Sequence, residues 1–175
     1  MKQPLRAAAF DAAISTVIDA LAERGDVDAT RIGIFGKATS GLLVLHAAAT
    51  EHRLRAIVAH PGSYDWAPYF EQKFPFYPSQ LELFSVLGAT SIAEGIELVK
   101  RELTLEGVLP GVRAPMLVVN TLDDRAIPVT EVELIKEHAS ADVEVILFPG
   151  RGHGGPPAIA HSLEADWLAA KLAGE

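Results

Sequence analysis

His153 and the adjacent carboxylates Asp123 and Asp124 are the residues of this 175-residue chain best suited to acid–base chemistry. An imidazole backed by a carboxylate can take the proton of a hydroxyl, because the carboxylate fixes the ring's tautomer and stabilises the charge that develops. The hydroxyl of such a set is presented at the apex of a sharp turn from strand to helix. Arg31-Ile-Gly-Ile-Phe-Gly-Lys-Ala-Thr-Ser-Gly41 reads as that arrangement, a buried strand, a tight turn and a helix, but its apex is Ala38, which has no hydroxyl.

These positions need a scaffold that brings distant loops together. Phe10, Ile14, Val17, Ile18 and Leu21 recur at helical spacing and predict a helix over residues 5–24, stopped by Gly25. Short apolar runs predict strands over 31–35, 54–60, 115–120 and 143–148, with helices over 39–49, 130–138 and 158–173 between and after them. Strands alternating with helices imply right-handed crossovers and an α/β fold with a parallel sheet of about four strands, flanked by helices. In such a sheet the carboxyl ends of the strands share one edge. The loops 36–41, 120–128 and 148–155, which carry Ala38, Asp123, Asp124 and His153, therefore converge there.

Residues 65–112 interrupt the alternation and are too long for an ordinary connection. They hold Trp66, Tyr69, Phe70, Phe74, Phe76, Tyr77 and Phe84, most of the chain's aromatic rings. Helical patterns over 80–87 and 92–103 predict a helical cap insertion over the strand ends, within one domain spanning 1–175. Most of these rings are expected to pack the insertion onto the body, with Trp66 and Tyr69 lining a pocket. Arg125 and His60 are further candidates for contact with a ligand; Arg125 has the alternative of pairing with Asp123 or Asp124, and His60 that of a structural histidine. His46 reads as structural, and His52, His138 and His161 as surface positions. No His and carboxylate spacing suggests a metal site, and no cofactor is expected.

Composition excludes several classes. Hydrophobic residues make up 49% of the chain and charged residues 22%, which suits a packed core and argues against disorder. A net charge of −8 disfavours nucleic-acid binding. There is no cysteine, so disulfides and thiolate chemistry are excluded, and a cytoplasmic location is expected. No run is apolar enough to predict a signal peptide or a membrane span.

With these pieces in place the chain resembles the α/β-hydrolase family, in particular its esterase, dienelactone-hydrolase and prolyl-oligopeptidase-like branches. The resemblance rests on Asp-Ala-Thr-Arg-Ile-Gly-Ile-Phe-Gly before the turn, on Leu-Asp-Asp-Arg-Ala-Ile-Pro and on Gly-Arg-Gly-His-Gly. It implies ester or related acyl hydrolysis by a Ser-Asp-His triad, with Ala38 at the serine position, His153 as base, and the backbone N–H of Thr39 as one oxyanion donor. Matching forward from Asn120 makes Asp123 the acid; counting back from Pro128 makes it Asp124, and Asp123 is preferred. The ligand implied is a small apolar ester or acid. Two departures stand out: Ser40 replaces a usual glycine, and the family's earlier strands and glycine-rich loop have no counterpart before residue 31. The expectation is an inactive relative; the alternative is a non-catalytic ligand-binding or regulatory module. The first strand would then be an edge, which predicts a homodimer or completion by another chain.

Overall fold

A computed structural model describes residues 4–71, 78–150 and 152–174; Phe74, Phe76 and Tyr77 lie outside the described residues. The elements run α1 (Ala7–Ala22), β1 (Ile32–Lys37), α2 (Thr39–Ala48), β2 (Leu54–His60), α3 (Ala67–Glu71), α4 (Pro78–Val86), α5 (Ile92–Glu102), β3 (Met116–Thr121), α6 (Val129–His138), β4 (Val143–Phe148) and α7 (Pro157–Ala173). The four strands form one parallel sheet in the order β1-β2-β3-β4. Every expected strand is present with small shifts at its ends. The short helix α3 is an addition to the expected elements.

Side chains of successive strand residues point to opposite faces, and this alternation sorts the core. Ile57 and Ala59 of β2, with Met116 and Val118 of β3, face α2 and α6 and join the larger cluster with Leu42, Leu45 and Ile135. Val58, Leu117 and Val119 face the other way, against Ala160 of α7. β2 and β3 are buried almost throughout, whereas the edge strands β1 and β4 are half-exposed. Phe35 on β1 is 42% exposed on the α7 face.

Helix α1 lies on α2 and is tied by polar contacts. His46 meets Asp11 at 2.9 Å, the partner that its reading as a structural histidine requires. Arg53 bridges Asp19 of α1 and Glu51, and this guanidinium holds the Glu51 carboxyl down at about 2. Among the described residues no helix is long and apolar enough to cross a membrane.

The segment between β2 and β3 is anchored at its base. Asp65 and Thr104 form an antiparallel bridge, and Trp66 and Leu105 donate backbone hydrogen bonds to Leu103 and Tyr64. The buried carboxylate of Glu131, in the first turn of α6, accepts from the Tyr64 and Asp65 N–H groups at 2.9 and 2.7 Å. Ser91 caps α5 by accepting from Glu94 N–H at 3.2 Å. Helices α4 and α5 approach closely because Gly95 has no side chain; a Cβ there would lie 2.4 Å from the Phe84 ring.

Candidate active site

The turn between β1 and α2 is a single residue. Ala38 has φ 53° and ψ −123°, and among the described residues no other non-glycine has positive φ. A residue with a Cβ stays in this region only where its surroundings hold it there. Here they do. A Cβ on Gly36 would fall 2.1 Å from the Ser40 carbonyl oxygen, and one on Gly41 would fall 2.6 Å from that of Pro61. The Ala38 N–H donates to the His60 carbonyl at 2.9 Å. Ser40 turns its hydroxyl back into the turn, accepting from Lys37 N–H at 2.9 Å and donating to the Lys37 carbonyl at 2.7 Å. The close approach of helix to strand is thus met by Gly41, and Ser40 fastens the turn from within. Thr39 opens α2, where N–H groups have no acceptor inside the helix.

The carboxylate that meets His153 is Asp124, at 2.9 Å from Nδ1, and the preference for Asp123 is corrected. The reason lies in the backbone. Leu122 and Asp123 still donate to the Phe148 and Gly150 carbonyls, continuing alongside the exit of β4, so Asp123 is carried to the surface and the turn inward starts one residue later. Asp124 is buried; its Oδ1 accepts from the Ala126 and Ile127 N–H groups at 2.8 and 3.1 Å, leaving Oδ2 for the imidazole. Burial pushes the Asp124 pKa up, but the His153 hydrogen bond and the two N–H bonds outweigh it and the net shift is down. The His153 side chain is 41% exposed. With Nδ1 committed to Asp124, Nε2 is the ring nitrogen available for proton transfer. Thr121 Oγ1 donates to the Gly152 carbonyl and steadies the loop that carries the ring.

Ala38, Thr39 and His153 line one cavity of about 300 Å³ with Trp66, Tyr69 and Phe70. A second cavity of about 200 Å³, bordered by Arg125 and Glu131, shares Trp66, Tyr69 and Ala126 with the first. Trp66 and Tyr69 therefore stand between the two spaces. The Trp66 Nε1 is buried with no hydrogen-bond partner among the described residues. Burial raises the Glu131 pKa, against the lowering effect of its two backbone N–H bonds.

His60 lines neither cavity, which corrects its expected place at the ligand. It shares the parity of Val58 on β2, so its ring faces α7 and is 1% exposed. There Nδ1 contacts the Glu164 carboxylate, and His161 Nδ1 lies 2.9 Å from the other oxygen of the same carboxylate. Burial lowers the His60 pKa; Glu164 and a hydrogen bond to the Gly154 backbone oppose this without reversing it. The sequence reading missed this cluster. The His161 and Glu164 spacing did place both on one helix face, but His60 arrives from a strand a hundred residues away.

Comparison with known proteins bears on the fold and the family. Among curated proteins none matches the chain. The fold is similar to that of 2,6-dihydroxy-pseudo-oxynicotine hydrolase (TM-score 0.81, 23% identity, covering 95% of this chain and 47% of that one). It is also similar to acetyl xylan esterase 1 from Thermoanaerobacterium sp. JW/SL YS485 (TM-score 0.67, 17% identity, 92% and 52% covered). A third similar structure is the acylaminoacyl peptidase of Pyrococcus horikoshii (TM-score 0.68, 20% identity, 93% and 28% covered). The chain spans about half of the first two structures and less of the third. Residues 11–175 match the prolyl oligopeptidase family, and with the parallel sheet this establishes that the chain belongs to that family of α/β-hydrolases.

Proposed function

We propose that the loops at the carboxyl edge of the sheet form the acyl-hydrolase site of a serine hydrolase from which the nucleophile is absent, and that the chain is inactive as it stands. One observation carries this reading: the glycine-flanked apex Ala38, held at positive φ, shares a cavity with a histidine that is hydrogen-bonded to a buried aspartate. In the parent chemistry a hydroxyl at position 38 would attack the acyl carbonyl while His153 Nε2 takes its proton. Asp124 would hold the ring and stabilise the imidazolium, and Thr39 N–H would donate to the oxyanion. Leaving-group departure would return the proton from Nε2, and water would then release the acyl group by the same steps. Arg125, Trp66 and Tyr69 would contact a small apolar ester or acid. The helices of residues 65–112 serve as the cap.

The test is Ala38→Ser assayed on short-chain aryl esters. Expected is a rise in hydrolysis on the order of 10²-fold or more over the unmodified chain, abolished by adding His153→Ala. Equal rates for the chain and Ala38→Ser would overturn the proposal.

A second reading, a ligand-binding module without turnover, is favoured by the unpartnered Trp66 Nε1 beside an apolar cavity. Tight binding of an apolar acid by the unmodified chain, with no activity in Ala38→Ser, would select it. Pairing of the outer edge of β1 with a second copy, or with a strand from another chain, belongs to the same proposal, as does a cytoplasmic location. Molecular mass in solution tests the pairing.

A further inference from the structure

On the α7 face of the sheet, away from both cavities at the strand ends, three potential ligands come together. His60, His161 and Glu164 each offer one atom, and these atoms lie within 4.8 Å of one another. His60 and Glu164 are both at least 98% buried. A buried carboxylate between two imidazoles requires a positive partner.

The arrangement around His60 specifies what kind. Its Nε2 edge is packed on the Gly154 backbone, where a Cβ would come to 2.3 Å from Nε2. His60 Nδ1 contacts Glu164 Oε1, and among the described residues both atoms are buried without a geometrically aligned hydrogen bond. Two buried polar atoms in contact without an aligned hydrogen bond can be satisfied together by a cation. The far edge of the ring lies against the Gly154 backbone, the side on which an outer-sphere contact would orient a metal-bound histidine.

We propose that His60 Nδ1, His161 Nδ1 and the Glu164 carboxylate form a binding site for a zinc-class divalent ion. Two imidazoles and a carboxylate suit zinc and its neighbours rather than magnesium or calcium. Ligands held at about 2.0–2.1 Å from a tetrahedral zinc are roughly 3.3 Å apart, so binding would draw the exposed His161 toward His60 while the His60–Glu164 contact opens. A small cavity bordered by Phe35, His161, Glu164 and Leu168 gives entry from solvent and room for a water as fourth ligand. Because Gly154 follows His153 directly, an ion here braces the loop that presents the exposed imidazole. This proposal stands independently of the hydrolase reading.

The test is titration of the full chain, stripped with a chelator, with Zn²⁺ by calorimetry and with Co²⁺ by visible absorption. Expected is saturation at one equivalent with a tetrahedral Co²⁺ spectrum and a higher melting temperature on Zn²⁺ addition. His161→Ala, at an exposed position, and the near-isosteric Glu164→Gln should each weaken binding by at least about tenfold. His153→Ala should leave it within about twofold. Absence of saturation, binding unchanged in both His161→Ala and Glu164→Gln, or loss of binding in His153→Ala would each overturn the proposal.

Discussion

Two imidazole–carboxylate pairs meet at Gly154, and they differ in almost everything except chemistry. His153 and Asp124 hold one ring on a glycine-rich loop, with a fixed nitrogen inward and a second one open to a cavity. His60 and Glu164 are sealed between β2 and α7, where both ring nitrogens face protein. The contrast shows that burial decides what such a pair can do. A half-exposed ring can exchange protons with a ligand; a sealed one acts on its neighbours or on an ion.

The comparison breaks most sharply at the exposed pair. In the Ala38→Ser protein, Asp124→Asn should remove most of the gained activity, a fall on the order of 10²-fold or more as the base loses its tautomer, whereas Asp123→Asn should change it by less than about twofold. A larger loss from the Asp123 variant would return the acid to that residue.

Next in size is the sealed pair. In chelator, His60→Ala empties a fully buried ring site between β2 and α7 and should reduce the unfolding free energy by about 3 kcal/mol in a urea titration. His153→Ala, at a ring 41% exposed whose place on Asp124 water can take, should cost about 1–2 kcal/mol in the same assay. Equal effects would erase the distinction.

Gly154 couples the two. Its φ of +81° and its contact with His60 predict that Gly154→Ala destabilises by about 1–3 kcal/mol and also shifts the His153 ring resonances. A change in stability with unmoved resonances would show that the loop is insensitive to what lies beneath it.

The smallest effect is in pH dependence. Asp124 has a lowered folded pKa, so its contribution is complete above the ordinary carboxylate range and is lost as pH falls through the lowered value. Glu131 has the opposite sign: its raised pKa makes its ionisation oppose folding as pH rises from the ordinary range through the raised value. Urea midpoints against pH should lose the acid fall in Asp124→Asn and the higher fall in Glu131→Gln.

The sheet was legible because buried parallel strands read as apolar runs, and β2 and β4 match their expected bounds of 54–60 and 143–148. The convergence of Ala38, Thr39 and His153 followed from strand order alone. Choosing between Asp123 and Asp124 was not possible from spacing, since it depends on how far the chain keeps pairing with the exit of β4. The face of His60 was in principle readable from its parity with Val58. What hid it was Glu164, which reads as a surface residue until α7 is laid on the sheet. Helix α3 was missed because five residues carry too little periodicity.

Ala38 also bears on the history of the turn. At its backbone angles glycine meets no Cβ penalty, so a chain drifting free of any demand at this apex would gain by losing the methyl group. Alanine is one oxygen atom short of serine and keeps the Cβ that a nucleophile would need. On the proposed reading the apex keeps the direction that a nucleophilic side chain would take, and a single base change in many serine codons is enough to separate the two residues.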